Sequence, residues 1–74
     1  MNSPKATPRA LLAHLDELYR LAQLLASDAE AAARLVHDVY REALASPPPA
    51  DQARTWLVAR LLHRARLAES TDEP

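Results

Sequence analysis

From Pro8 to Ala26 the apolar residues Leu11, Leu15, Leu18, Ala22 and Leu25 recur at three- and four-residue spacing. Leu12 and Tyr19 widen the stripe, and Asp16, Arg20 and Gln23 lie opposite. This period marks an amphipathic helix, so a first helix is predicted over 8–26. Thr7 stands where an N-cap is needed, and Pro8 takes the first helical position, where its missing N–H costs nothing. Leu24 falls near the polar side and Leu21 at the stripe edge, either as ordinary exposed leucines or as part of an interface.

The second apolar stripe is Ala32, Leu35, Val36, Val39, Tyr40 and Ala43, which predicts a helix over 28–45. Its outer face carries Arg34, His37, Asp38 and Arg41, with Glu42 at the edge. Ser27-Asp28-Ala29-Glu30 reads as a capping box in which the Ser27 hydroxyl accepts from the Glu30 N–H. The first two helices therefore meet across almost no loop. Ala29, Ala31, Ala32 and Ala33 are small enough to permit close helix approach.

Pro47-Pro48-Pro49 ends that helix, because consecutive prolines lack donors and favour extended backbone. Asp51 is the expected N-cap of a third helix over 51–68, with Leu57, Val58, Leu61, Leu62, Ala65 and Ala68 facing inward. Arg60, His63, Arg64 and Arg66 spread over its other side, and Trp56 points toward Arg60 and His63. Three such helices can bury one shared core, so the fold class expected is all-α, a small three-helix bundle over 7–68. Residues 1–6 are expected to be disordered and 69–74 to form an acidic tail. No internal repeat or sustained heptad is present.

Composition narrows the function. A chain of 74 residues makes one small domain, whose single core gives only a few kcal/mol of net stability. It has no cysteine and no glycine, which removes disulfides, thiolate sites and the usual phosphate-cradling loops. No apolar run approaches the length of a membrane span and no signal-peptide pattern opens the chain, so a cytoplasmic protein is expected. His14, His37 and His63 fall one per predicted helix and form no ligand pair. His37 and Asp38 are adjacent, and adjacent helix positions do not face each other. The reading is of a protein that is not an enzyme and has no cofactor or metal site. Net charge is −1, yet residues 53–67 carry Arg54, Arg60, Arg64 and Arg66 without an acid. Such a basic helix is a nucleic-acid face, a partner face or a solvated surface.

Leu18-Tyr19-Arg20-Leu21-Ala22, the polar turn at Ser27-Asp28, and Leu35-Val36-His37-Asp38-Val39-Tyr40-Arg41-Glu42-Ala43 together resemble region two of the extracytoplasmic-function sigma factors. That region carries an acidic helix ending "DLVQETFLRA" and, later, "AWL" opening a basic helix. Leu35-Val36 stand at the "LV", His37-Asp38 at the "QE", Tyr40 at the aromatic, and Ala53-Arg54-Thr55-Trp56-Leu57 at the last motif. The resemblance spans roughly residues 14–66. It implies that Arg34, His37, Asp38, Arg41 and Glu42 face the clamp helices of RNA polymerase or an anti-sigma protein. It also implies that Trp56, Arg60, His63 and Arg64 lie on the side that meets single-stranded DNA, where cations attract phosphate and an aromatic ring stacks a base. Trp56 has a second reading as the aromatic wedge of a small core, and the arginines a second one as aliphatic cover for the helix back.

Several positions depart from the family's pattern. Arg34 stands where an acid precedes the "LV", Ala33 replaces the acid before it, and His63 and Leu67 replace an Asn and an acid. The proline linker is short and no second DNA-binding domain is expected, so the reading is not of a complete initiation factor. The function expected is a sigma-factor-like, transcription-related module acting by protein contact, with single-stranded DNA as a further contact. The alternative is a self-associating helical interaction module, a homo-oligomer without polymerase or DNA binding.

Overall fold

The chain enters its first helix where a side-chain acceptor is available. Thr7 is extended, and its Oγ1 accepts from the Ala10 N–H at 3.1 Å. Pro8 follows as the first helical residue. The computed structural model describes residues 4–70, with the backbone alone for 69 and 70. Among the described residues every regular element is helical: α1 (Pro8–Leu12), α2 (Leu15–Leu25), α3 (Ala29–Ala45), a short 3-10 turn (Ala50–Gln52) and α4 (Ala53–Ser70). The protein is all-α. The long helices α2, α3 and α4 each pack on the other two, and α1 lies against α3 and α4.

The first predicted helix is two helices, bent at Ala13 and His14. A continuous helix would offer the Leu11 carbonyl to Leu15. In the structure that oxygen accepts from the His14 N–H at 3.2 Å and from the Tyr40 hydroxyl, 29 residues away, at 2.8 Å. The bend redistributes the leucines. Leu11 and Leu18 are fully buried, while Leu12 and Leu15, expected in the stripe, are exposed. Leu21, expected at the edge, packs against the core.

Asp28 caps α3, in place of the expected Ser27–Glu30 box. Its Oδ1 accepts from the Ala31 N–H at 2.8 Å. Glu30 turns forward to Arg34 instead of back to the cap. The carboxylate one residue later does the same work as the hydroxyl and adds a negative charge at the positive end of the helix dipole.

At the far end of α3 the three prolines run extended and shape the entry to α4. Pro48 offers its carbonyl to the Ala6 N–H at 2.8 Å, and Pro4 offers its own to the Ala50 N–H at 2.8 Å. Lys5 and Pro49 form an antiparallel bridge, and Ala6 is buried. Residues 4–6 were expected to be disordered. They are ordered because prolines, though they donate nothing, still present acceptors that a neighbouring extended segment can use. Asp51 lies inside the 3-10 turn and not at an N-cap, and α4 starts at Ala53. Residues 71–74 of the expected acidic tail, and residues 1–3, lie outside the described residues.

The core is aliphatic. Leu11, Leu18, Val39, Leu57 and Leu61 are its largest fully buried side chains. Ala22, Ala32, Ala43 and Ala53 are buried among them, and small residues there allow helices to approach closely. Tyr40 is the buried aromatic, and Trp56 packs at the margin, half-buried.

Candidate protein-binding surface

Asp38 and Glu42 lie one turn apart on α3, and Arg60 and Arg64 one turn apart on α4. Because i,i+4 positions share a helix face, packing α3 on α4 brings the two pairs together. The Arg64 Nε donates to Glu42 Oε2 at 2.6 Å, and its Nη1 is 3.8 Å from Asp38 Oδ2. The Arg60 Nε stands 3.7 Å from Glu42 Oε1. All four side chains are partly shielded from water, which strengthens these contacts relative to a fully exposed pair.

The sequence resemblance assigned Asp38 and Glu42 to a polymerase face, and Arg60 and Arg64 to a nucleic-acid face. The structure joins them in one ion-paired ladder. Trp56 sits beside it with the Arg60 guanidinium carbon 5.1 Å from the ring centroid, a cation–π distance. His63 is exposed and shares a small recess with Trp56, Ala59 and Arg60. The remaining α3 candidates are outward. Arg34 Nη2 is 3.4 Å from Glu30 Oε1, and His37 Nδ1 is 3.9 Å from Asp38 Oδ1 despite their adjacency. Arg41 is exposed and has no ion pair among the described residues.

Another cross-helix pair lies on the opposite flank. The Arg54 Nε donates to both Glu17 oxygens, at 3.0 and 3.1 Å, tying α4 to α2. This hydrogen bond, reinforced by the charge of the guanidinium, holds the Glu17 carboxyl below its ordinary range and raises Arg54. Burial pushes the Tyr40 hydroxyl up.

Sequence reasoning assigned Leu25 and Leu62 to the core, yet they are 39% and 42% exposed and line open clefts. One cleft, of about 470 Å³, lies between Leu25 and Ala26 at the end of α2, Ala31 and Leu35 on α3, and Ala65 and Ala68 on α4. A second, of about 550 Å³, lies between Leu25 and the C-terminal half of α4. The period alone could not reveal them, since it gives the direction of a side chain and not whether another helix reaches it. Among the described residues no cluster of His, Cys, Asp or Glu could hold a metal ion, and no helix is long and apolar enough to cross a membrane. Comparison with protein-family models, curated proteins and solved structures gives no match.

Proposed function

We propose that the chain is a sigma-factor-like, transcription-related module that works by protein contact, with the outer face of α3 meeting the clamp helices of RNA polymerase or an anti-sigma protein. One observation carries the choice of protein over nucleic acid as the main partner. Arg60 and Arg64, the strongest candidates for phosphate contact, are occupied by Glu42 and Asp38. Binding phosphate would require breaking those pairs, whereas on α3 Arg41 stands outward with no ion pair among the described residues and the Arg34–Glu30 pair is solvent-exposed and costs little to exchange.

The test is co-purification of RNA polymerase with the tagged chain, comparing the natural sequence with Arg34→Glu/Arg41→Glu. These two positions are exposed, so the substitutions leave the core intact. Retention of polymerase that the double variant loses supports the reading. No retention at micromolar protein, with no anti-sigma protein recovered either, rejects it.

A second reading, self-association without polymerase or DNA, draws on Leu24, which is 83% exposed. A sedimentation profile that shifts with concentration, and that Leu24→Ser restores to monomer, is the outcome that favours it.

A further inference from the structure

The groove between the end of α2 and the C-terminal half of α4 combines an apolar floor with a basic rim. Leu25 and Leu62 form the floor with Ala59, and His63 and Arg66 line the edge, with no carboxylate among the described residues that line it. We infer that this groove docks an acidic amphipathic helix of a protein partner, through lining residues of α2 and α4 that include none of the candidates on α3.

The charge pattern selects the sign of the partner. Three of the arginines on α4 are already matched: Arg54 by Glu17, and Arg60 and Arg64 by Glu42 and Asp38. His63 and Arg66 are exposed and have no ion pair among the described residues. Among the described side chains Arg66 is thus the arginine of α4 left without a matching acid, and it stands with His63 where the groove opens. Carboxylates flanking an apolar stripe complement it, and lysines in the same places would be repelled.

The shape selects a helix. The groove continues into the recess of Trp56, Ala59, Arg60 and His63 through the residues they share, Ala59 and His63. From Trp56 to Arg66 this strip runs about 15 Å along α4, close to three turns of a docked helix. Ala59 presents no side chain beyond Cβ and lets a facing ridge approach the α4 backbone. The aliphatic floor gives a nucleobase nothing to stack on, and the nearby Trp56 ring already carries the Arg60 guanidinium.

The experiment is fluorescence anisotropy with the full chain and a labelled synthetic helical peptide that bears leucines along one face and glutamates elsewhere. Three comparison probes are used: the same composition scrambled to disperse the leucines, the lysine-for-glutamate version, and single-stranded oligothymidylate. The acidic amphipathic peptide is expected to bind at least about tenfold more tightly than each of them. Leu62→Ser and the pair His63→Glu/Arg66→Glu should each weaken it about tenfold or more, with unchanged far-UV circular dichroism. Arg34→Glu/Arg41→Glu should leave it unaltered, which separates this site from the α3 face. Equal binding of the scrambled peptide, tighter binding of the lysine peptide or the oligonucleotide, or indifference to Arg66→Glu overturns the inference. So does a chain that binds no peptide and is a dimer that Leu62→Ser dissociates, because a second copy then fills the groove.

Discussion

Arg64 on α4 donates to Glu42 on α3 at 2.6 Å, so one charged hydrogen bond ties together two surfaces that the sequence resemblance assigns to different ligands. Both side chains are partly shielded, which places the pair between an exposed ion pair and a buried one. Glu42→Gln is therefore expected to destabilise the fold by about 1 kcal/mol. A double-mutant cycle with Arg64→Gln, read by urea denaturation, should return a coupling of similar size. Additive effects would mean that the two side chains do not cooperate in solution.

The same ladder governs single-stranded DNA binding. With Arg60 and Arg64 matched by acids, the natural chain should bind oligothymidylate weakly. Asp38→Asn with Glu42→Gln removes the matching charges and leaves both arginines in place. Affinity at low salt should rise, and the salt slope should steepen by about one unit or slightly more, as two added phosphate contacts require. Anisotropy across a salt series checks this. An unchanged slope would show that these arginines do not reach phosphate even when released.

Tyr40 donates to the Leu11 carbonyl at 2.8 Å from a buried position. Tyr40→Phe removes the donor but leaves that carbonyl its bond from His14, so the cost should be about 1 kcal/mol and not the full penalty of an orphaned group. Burial raises the hydroxyl above its ordinary value of 10.0. The neutral phenol therefore contributes stability fully below that value, and the contribution is lost as pH rises through the raised folded pKa. Chemical denaturation across the alkaline range should show a decline that Tyr40→Phe flattens.

This hydrogen bond also explains what could and could not be read from the chain. Val36, Val39, Tyr40 and Ala43 were legible as core because a helical period fixes which side chains share a face, and all four are buried. Leu12 and Leu15 were misplaced because the helix carrying them breaks at Ala13 and His14, beside a carbonyl held by a tyrosine from another helix. Local pattern does not encode a contact 29 residues away. The acid pair Asp38 and Glu42 and the basic pair Arg60 and Arg64 were each visible at i,i+4 spacing. Their meeting depends on the register of α3 against α4, which tertiary packing sets. The order of residues 4–6 was hidden for the same reason, since its partners, the Pro48 carbonyl and the Ala50 N–H, lie more than 40 positions further along.

Capping offers a test between two neighbouring residues. Asp28 accepts from the Ala31 N–H at 2.8 Å, so Asp28→Ala should cost about 1 kcal/mol. Ser27→Ala should be near neutral, within about 0.5 kcal/mol, because Ser27 is an exposed residue just outside the cap. Thermal or urea denaturation of the two variants distinguishes the aspartate cap from a serine capping box, which would reverse the order.

The Glu17–Arg54 pair makes acid sensitivity specific to one carboxyl. The Arg54 hydrogen bond, and then its charge, lowers Glu17 below the ordinary 4.5. The folded form thus binds that proton less readily than the unfolded chain does. The contribution is fully present above the unfolded value and is lost as pH falls through the lowered folded one. Stability of the natural chain relative to Glu17→Gln should be constant near neutrality and shrink as pH falls below the ordinary carboxyl value of 4.5, as urea midpoints at several pH values would record. Both side chains face solvent, so high salt should reduce the difference at neutral pH. Arg54→Lys should recover only part of it, because an ammonium cannot present the fork that reaches both Glu17 oxygens. A gap between the natural chain and Glu17→Gln that persists unchanged into acid would mean that the pair does not set the carboxyl's protonation in the folded protein.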